Sequence, residues 1–463
     1  MIRLSDISRI YFIGIGGIGM SALARYFKSR KVAVSGYDRT QTPLTRALES
    51  EGIAVHYSDD IDLADKEAQL IVYTPAIPAD HGELTWFRQQ NYSVVKRSDV
   101  LGIITEGSFN ICIAGTHGKT SISTMVAHLL RHSGYGCNAF LGGVSANYGT
   151  NFWASEREVS VIEADEYDRS FLKLSPDISV VTSMDPDHLD IYGTPDAMEE
   201  AFVQFAAKTK PTGLLVRKHS LTRLNEAMAR KQLTYAAVGN ANNLQQEGDA
   251  PDVFTQGITN NGYGYRFDIS VAGEWIRGVE LNVGGLHNIE NISVAITIAR
   301  LLNIDANLIK EAVSAYKGVK RRFEFYLAEP GKTVLIDDYA HHPGELEALL
   351  KSVKGLFPGK KVTVLFQPHL YSRTRDFALG FADSLSIADE ALLLPIYPAR
   401  ELPIEGVDST IIGGKMRDVA YLEKGDVTGW VEKNNTDVLV TAGAGDIDAL
   451  VPAIKEALMK KKD

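Results

Sequence analysis

The sequence is short of the features that mark several protein classes. It has two cysteines in 463 residues, Cys112 and Cys137, too few for a disulfide framework or a thiolate zinc site. No apolar run approaches the length of a membrane span, and the first residues lack the basic, apolar and small-residue order of a signal peptide. Acidic residues outnumber basic ones, 58 to 48, which opposes general nucleic-acid binding. We therefore expect a cytosolic protein with two buried thiols and with no nucleic-acid or membrane partner.

The remaining composition is that of ordinary globular domains. Apolar residues make up 45% and charged residues 23% of the chain, and a chain of this length folds into several domains. Short β-branched runs alternate with helical patterns almost throughout, which predicts an α/β fold with parallel sheets flanked by helices. The stretch 239–264 is rich in Asn, Gln and Gly and is interpreted as a surface loop or hairpin.

Three groups of strands predict three domains. We place an N-terminal Rossmann-like domain at 1–107, a central domain with a phosphate loop on a parallel sheet at 108–320, and a C-terminal Rossmann-like domain at 321–463. The first two domains each begin with a strand, a glycine-rich turn and a helix. The predicted strands are 9–13, 32–36 and 70–74, then 109–114, 159–162, 178–182 and 213–216, then 333–336, 362–366, 391–394 and 437–441.

The strongest local signal lies where the central domain turns from its first strand to its first helix. Backbone N–H groups at the start of a helix bind polyphosphates, Lys119 would neutralise phosphate charge, and the Thr120 hydroxyl is at the position that ligates Mg²⁺ in such loops. The common phosphate loop has a glycine where this chain has Ile113. The alternative is an ordinary strand-to-helix turn. The predicted ATP-binding loop consists of Gly115, Thr116, His117, Gly118, Lys119, Thr120 and Ser121.

Acidic residues follow two predicted strands of the central domain. Glu163-Ala164-Asp165-Glu166 ends the strand at 159–162, and Asp185-Pro186-Asp187-His188-Leu189-Asp190 follows the strand at 178–182. Parallel sheets bind ligands at the carboxyl ends of their strands. We predict that Glu163 or a neighbouring acidic residue binds Mg²⁺ and that His188 binds a second divalent ion. The alternatives are a solvated acidic loop and a structural histidine.

A second glycine-rich turn lies near the N-terminus. Gly14, Gly16 and Gly19 have the spacing of a dinucleotide-binding fingerprint, Gly17 lies between them, and Asp38 follows the next predicted strand. A pyrophosphate can approach such a backbone, and a carboxylate can reach a ribose. The motif does not select NAD, and close packing of helix on strand without a ligand is the alternative. Two phosphate sites in one chain imply two nucleotides, ATP and a nucleotide-tagged substrate.

Together these motifs resemble those of the Mur ligase family. The resemblance spans essentially the whole chain and rests on the segments already quoted and on four more, which are 285–291, 320–323, 337–343 and 366–369. It implies three domains that bind a UDP-sugar, ATP and the incoming amino acid in that order.

The resemblance also implies roles for individual residues. It assigns the turn at 14–19 to the UDP diphosphate, Thr120 and Glu163 to Mg²⁺, and His188 to the second ion. Several members have an arginine where this chain has Leu370, so Arg373 is the residue that we expect to bind the amino acid's carboxylate. The further ATP-binding residues that it implies are His287, Asn288, Asn291, Arg322 and Asp338, and those on the amino-acid side are Tyr339, His341, His342 and Arg373.

For some of these residues the chemistry alone leaves other interpretations open. Asn288 and Asn291 are three residues apart and so lie on one helical face, where they could bind an adenine edge. Helix capping explains both residues equally well. Arg322 lies at a domain boundary and is also interpretable as a linker cation. The pair His341 and His342 has the chemistry of zinc ligands, although no cysteine or third spaced histidine accompanies it.

The implied reaction joins an amino acid to a carboxylate. Lys119, Arg322 and two Mg²⁺ ions would counter the charge that builds up when the lactyl carboxylate of UDP-N-acetylmuramate attacks the γ-phosphate of ATP. L-Alanine would then attack the acyl phosphate, with His341 as the candidate base. The alternative within the family is ligation of a recycled murein tripeptide to the same UDP-sugar. An ATP-driven switch and a nicotinamide oxidoreductase are alternatives from other classes, and each leaves one glycine-rich turn unexplained.

Overall fold

The structure is a computed structural model that describes residues 4–186, 189–227, 231–236, 250–329, 331–399 and 401–461. The chain divides into two compact units. Unit 1 comprises Met1–Gln256, Asp268–Arg277 and Glu290–Val313, and unit 2 comprises Gly257–Phe267, Gly278–Ile289 and Ser314–Asp463. Three β-sheets with helices between their strands confirm the predicted α/β class.

The N-terminal sheet has five strands in the order β3-β2-β1-β4-β5, and each neighbouring pair is parallel. The first strand coincides with the prediction at 9–13, because four of its five residues are buried and form one apolar run. The chain order reverses beside β1, which is where doubly wound sheets bind ligands. The elements are β1 (Arg9–Ile13), α1 (Ile18–Ser29), β2 (Ala33–Tyr37), α2 (Pro43–Ser50), β3 (Ala54–His56), β4 (Leu70–Tyr73), α3 (Gly82–Gln89), β5 (Val94–Lys96) and α4 (Arg97–Glu106).

The central sheet has ten strands in the order β15-β14-β13-β12-β11-β10-β6-β9-β7-β8. Its middle strands β10, β6 and β9 are parallel, so the loops after them meet at one edge of the sheet. The strands are β6 (Phe109–Ala114), β7 (Asn138–Phe140), β8 (Phe152–Trp153), β9 (Val159–Glu163), β10 (Ile178–Val181), β11 (Leu214–Lys218), β12 (Lys231–Tyr235), β13 (Val253–Asn260), β14 (Tyr265–Val271) and β15 (Glu274–Leu281). The helices are α5 (Lys119–His132), α6 (Leu189–Tyr192), α7 (Pro195–Ala207), α8 (His287–Leu301) and α9 (Ala306–Ala315).

The predicted loop or hairpin at 239–264 falls partly outside the described residues, since 237–249 are not described. The described part contains β13 and the turn into β14, and these two strands are neighbours in the sheet. The hairpin interpretation is therefore the correct one for this part of the segment.

The C-terminal sheet has six strands in the order β16-β17-β21-β18-β19-β20. Only the pairing of β16 with β17 is antiparallel. The strands are β16 (Glu324–Leu327), β17 (Val334–Asp338), β18 (Val362–Phe366), β19 (Glu390–Leu393), β20 (Val419–Tyr421) and β21 (Val438–Ala442). The helices are α10 (Pro343–Leu356), α11 (Tyr371–Asp376), α12 (Ala378–Leu385), α13 (Thr410–Gly413), α14 (Val427–Lys433) and α15 (Val451–Lys460).

Both cysteines are buried thiols, as predicted. Cys112 on β6 and Cys137 before β7 are free and at most 1% exposed. Burial raises the pKa of the Cys137 thiol to about 12 and that of Cys112 further still, which keeps both in the unreactive thiol form. Within the described ranges, no helix has the length and apolar character needed to cross a membrane.

A buried hydrogen-bond network joins two strands of the N-terminal sheet, β1 and β3, to helix α3. The Tyr11 hydroxyl lies 2.5 Å from Glu83 Oε2 and 2.7 Å from His56 Nε2, and Glu83 is fully buried. His56 Nδ1 donates to the Ser58 carbonyl at 2.9 Å, so Nε2 of the neutral ring is an acceptor. Tyr11 then has one proton to donate to two acceptors, and both contacts are satisfied only when Glu83 or His56 holds an additional proton. Burial raises the pKa of Glu83 to about 7, and burial lowers the pKa of His56. The additional proton therefore resides chiefly on Glu83.

This network predicts that the N-terminal sheet loses stability as the pH rises. The folded pKa of Glu83, about 7, lies above its ordinary value of 4.5, so protonation favours the folded state across that window and the benefit is lost as the pH passes the folded value. The resulting decrease in the free energy of unfolding across this window is on the order of 3 kcal/mol. Amide hydrogen exchange of β1 in a Glu83→Gln variant should become slower relative to wild type as the pH rises from about 5 to about 8.

An exposed glutamate provides the control for this measurement. Glu158 is 60% exposed at its side chain, so Glu158→Gln should leave the exchange ratio to wild type independent of pH. If the exchange ratio of Glu83→Gln to wild type is also independent of pH, Glu83 is ionised in the folded protein across the whole pH range measured.

Candidate active site

The predicted phosphate loop connects β6 to α5. Gly115 and Gly118 have φ angles of 134° and 81°, which only glycine adopts readily. Two residues that follow β10 hold the loop. The Thr182 hydroxyl donates to the His117 carbonyl at 2.5 Å, and Ser183 Oγ accepts from His117 N at 2.9 Å and lies 2.8 Å from Thr116 Oγ1. No sequence motif identified Thr182 and Ser183, although their position at the end of a central parallel strand was a signal.

The first residue of α5, Lys119, points back into the loop. Its Nζ donates to the Gly115 carbonyl at 2.7 Å and to Glu166 Oε1 at 2.8 Å. Glu166 is 1% exposed and Lys119 is 15% exposed at their side chains. The sequence contains Glu166 in an acidic segment, but nothing local distinguishes it from its acidic neighbours.

The next residue, Thr120, faces Glu163 at the end of β9. Thr120 Oγ1 donates to Glu163 Oε1 at 3.1 Å, and Gly142 N donates to Glu163 Oε2 at 3.0 Å. A hydroxyl and a half-buried carboxylate are the oxygen donors that Mg²⁺ prefers, so this pair fits such an ion. No cluster of three or more His, Cys, Asp or Glu suited to a metal occurs among the residues described. His188, predicted for a second ion, lies outside them.

The remaining predicted residues of the nucleotide site have varied surroundings. Asn291 is buried, and its Oδ1 lies 3.0 Å from the position that a Cβ at Gly118 would occupy, so this asparagine borders the phosphate loop. Ser121 is half-buried in the first turn of α5. In unit 2, His287 begins α8 and Asn288 Nδ2 donates to the Gly284 carbonyl at 2.7 Å.

The N-terminal glycine turn is held by the strand beside it. Gly14 N and Ile15 N both donate to the Tyr37 carbonyl, at 2.8 and 2.9 Å. Asp38 accepts from Gly16 N at 2.8 Å and from Thr40 N at 3.1 Å. The carboxylate predicted to reach a ribose therefore also fixes the conformation of the turn.

A cavity of about 250 Å³ lies between this turn and the central sheet within unit 1. Gly17 and Gly19 line one side, and Glu163 and Asp165 line the other. Arg97 also lines the cavity and forms an ion pair with Asp165 at 3.5 Å. The predicted UDP-sugar turn and the predicted metal-binding carboxylate thus share one cavity. Arg97 was not predicted from the sequence, because no motif spacing identifies it.

In unit 2, the segment that leads into β16 brings charged groups to the end of β17. Asp338 accepts from Phe323 N at 2.7 Å and from Ala340 N at 2.8 Å, and burial raises its pKa to about 6. Arg321 stacks on the Tyr339 ring at 5.1 Å and donates to the carbonyls of Gly443 and Gly445. The predicted phosphate-binding residue, Arg322, is exposed.

Several residues predicted to bind the incoming amino acid follow β17. His341 Nδ1 is 2.9 Å from the Tyr339 carbonyl, so Nδ1 carries a proton and Nε2 has the lone pair. Burial lowers the pKa of His341, and Arg373 on α11 lowers it further. The ring is therefore neutral near pH 7, as a base requires. His342 caps α10 by accepting from Gly344 N at 3.4 Å, which is a structural role.

Models of one protein family match the chain in three successive segments. The model described as Mur ligase family, catalytic domain, matches residues 9–108, the Mur ligase middle domain matches 113–299, and the Mur ligase, glutamate ligase domain, matches 321–449. The three matches together span most of the chain.

Individual proteins agree with these matches. The UDP-N-acetylmuramate--L-alanine ligase of Cytophaga hutchinsonii is 45% identical over 98% of this chain and 97% of its own length. That of Phocaeicola vulgatus is 45% identical over 99% of this chain and 100% of its own. The crystal structure of UDP-N-acetylmuramate-alanine ligase from Thermotoga maritima superposes with a TM-score of 0.80 at 26% identity, covering 98% of this chain and 100% of that one.

Proposed function

This chain belongs to the Mur ligase family, and we propose that it joins L-alanine to UDP-N-acetylmuramate with cleavage of ATP to ADP and phosphate. The proposal rests on one observation. The chain is 45% identical, along almost its entire length, to proteins named UDP-N-acetylmuramate--L-alanine ligase. The reaction is a step of peptidoglycan precursor synthesis. Because ATP and the UDP-sugar are cytoplasmic substrates, we place the reaction in the cytoplasm.

The chemistry follows from the poor reactivity of a carboxylate towards an amine. The lactyl carboxylate attacks the γ-phosphorus, the bond to the β-phosphate oxygen breaks, and ADP leaves. The amine of L-alanine then attacks the carbonyl carbon of the acyl phosphate, and phosphate leaves as the amide forms. The amine loses one proton in this second step, so a base is needed.

On the ATP side, we propose that the loop at 115–121 binds the phosphates through its N–H groups and Lys119. Arg322, which is exposed on unit 2, has the bidentate guanidinium that suits the γ-phosphate. Thr120 and Glu163 would hold one Mg²⁺ and His188 a second divalent ion, and a bound ion would supply positive charge to phosphate oxygens. The further ATP contacts that we propose are His287, Asn288, Asn291 and Asp338.

On the substrate side, we propose that the turn containing Gly14, Gly16, Gly17 and Gly19 binds the UDP diphosphate, with Asp38 beside it. The cavity that Gly17 and Gly19 share with Glu163 supports the proposal, because a substrate bound at the turn would extend through it towards the proposed metal-binding carboxylate. We assign these tasks to three domains, 1–107 for the UDP-sugar, 108–320 for ATP and 321–463 for L-alanine.

In the C-terminal domain, we propose that His341 takes the proton from the alanine amine through Nε2. Tyr339, His342 and Arg373 would line the same site, with Arg373 pairing with the alanine carboxylate. A His341→Gln variant that keeps the full kcat would exclude His341 as the base.

The reaction itself is tested with purified protein, ATP, Mg²⁺ and UDP-N-acetylmuramate. We expect phosphate release that requires L-alanine, together with a product whose mass is that of UDP-N-acetylmuramoyl-L-alanine. In parallel reactions, L-alanine is replaced by the recycled murein tripeptide or by buffer alone. Ligation of the tripeptide in place of alanine would assign the chain to the recycling reaction, and ATP hydrolysis without any ligation would contradict the proposed function.

A further inference from the structure

We propose that Glu166 is a positioning residue for Lys119, whose buried carboxylate holds the lysine ammonium group in the phosphate loop for γ-phosphate transfer. The inference deepens the proposed function and rests on it, since it concerns the lysine that we assign to the ATP phosphates. It adds to the site a residue that does not itself contact the substrate.

The ion pair restricts where the ammonium group can go. Lys119 Nζ is 2.8 Å from Glu166 Oε1 and 2.7 Å from the Gly115 carbonyl, so two fixed acceptors bind it at the base of the loop. Glu166 is 1% exposed. Rotation of Lys119 into solvent would leave a buried carboxylate without its counter-charge, which is strongly unfavourable. The lysine is therefore retained beside the loop before any nucleotide binds.

Glu166 is itself fixed through its main chain. Its carbonyl accepts from the Tyr192 hydroxyl at 2.6 Å and from Arg169 N at 2.9 Å. Its second carboxylate oxygen, Oε2, is buried and has no hydrogen-bond partner among the residues that the structure describes. Within that part of the chain, Lys119 is thus the group that balances the carboxylate, and the attraction between the two is strengthened by the low local dielectric.

The carboxylate also changes how the loop responds to ATP. With Glu166 present, part of the lysine charge is neutralised, so ground-state binding of the polyphosphate is weaker than it would be to a lone ammonium group. The carboxylate also fixes the position of the ammonium group. A fixed ammonium group stabilises the charge that builds up on the phosphate oxygens in the transition state more than it stabilises bound ATP. Removing the carboxylate should therefore affect affinity and turnover in opposite directions.

The test compares Glu166→Gln and Glu166→Asp with wild type in the full-length protein. For Glu166→Gln we expect kcat to fall roughly 10- to 100-fold, while the dissociation constant of a non-hydrolysable ATP analogue with Mg²⁺, measured by calorimetry, stays the same or falls about 3-fold. Glu166→Asp keeps the charge but is shorter, so we expect it to recover part of kcat with wild-type affinity for the analogue.

A lysine–carboxylate pair in the loops that precede β10 and β11 provides the control. Lys210 Nζ lies 2.8 Å from Asp177 Oδ2, but Asp177 precedes β10 and lies at the opposite edge, where it also accepts from Asn110 N at 2.8 Å. Asp177→Asn should leave both kcat and analogue affinity unchanged.

Other results would overturn the inference. A merely structural role would weaken analogue binding and lower kcat together, and an unchanged kcat in Glu166→Gln would mean that Lys119 needs no positioning. If Glu166→Gln does not fold, Glu166→Asp decides: lower kcat at unchanged affinity supports the inference, and parallel losses refute it. Failure of wild type to ligate alanine would refute the proposed function instead, while the analogue affinities still test the role of Glu166.

Discussion

Replacing Lys119 with methionine is expected to lower ligation on the order of 10³-fold. Methionine keeps the length and packing of the side chain but has no charge for the γ-phosphate as the lactyl carboxylate attacks it. The loop retains its glycines and its N–H groups, so nucleotide binding should weaken less than turnover. Phosphate release with UDP-N-acetylmuramate and L-alanine, alongside the affinity for an ATP analogue, measures both quantities.

The substitution also leaves Glu166 without a counter-charge at 1% exposure, and a buried unpaired carboxylate destabilises a fold by about 3 to 5 kcal/mol. A double variant, Lys119→Met with Glu166→Gln, removes this penalty and should fold like wild type yet stay inactive. Lys210→Met, in the loop before β11, is the control for loss of a paired lysine away from the site, and it should retain wild-type ligation. Recovery of activity in the double variant would contradict a direct role for Lys119.

Replacing Gly115 with alanine is expected to remove ATP binding and to destabilise unit 1 by about 2 to 4 kcal/mol. An added Cβ would lie 2.0 Å from Thr182 Oγ1 and 2.9 Å from Ser183 N, and the φ angle of 134° is unfavourable for any residue with a Cβ. Ser183 N is main chain and cannot rotate away, so the loop itself would shift. Calorimetric binding of the ATP analogue and chemical denaturation measure the two effects.

A substitution at Gly134, two residues after α5, distinguishes the effect of backbone strain from that of steric overlap. Its φ angle is 75°, but nothing lies within 4 Å of an added Cβ. Gly134→Ala should therefore cost about 1 kcal/mol and leave analogue binding intact. If Gly115→Ala binds the analogue as well as Gly134→Ala does, the loop does not bind ATP phosphates in the conformation seen here.

Much of the fold was predictable because the signals are local. The strands predicted at 109–114 and 362–366 coincide with β6 and β18, since a mostly apolar run, interrupted here only by Asn110 and Thr363, marks a strand that is buried on both faces. The strands β7, β8 and β20 have only three, two and three residues, which is too short for such a run, and the sequence pattern did not predict them. Among the C-terminal cations, the sequence favoured Arg322, and only the structure distinguishes it from its neighbour Arg321, which is bound to main-chain carbonyls.

The family, the α/β class, the two glycine-rich turns and the thiol state of both cysteines follow from the sequence alone, because each depends on residue types at fixed spacing along the chain. The partners of those residues do not. Ser183 on the loop, Glu166 on Lys119, Arg97 beside Gly19 and the proton shared by Glu83 and His56 through Tyr11 all join positions far apart in sequence. Such contacts depend on which strands are neighbours in a sheet and which side chains lose their water, and only the packed tertiary structure decides both.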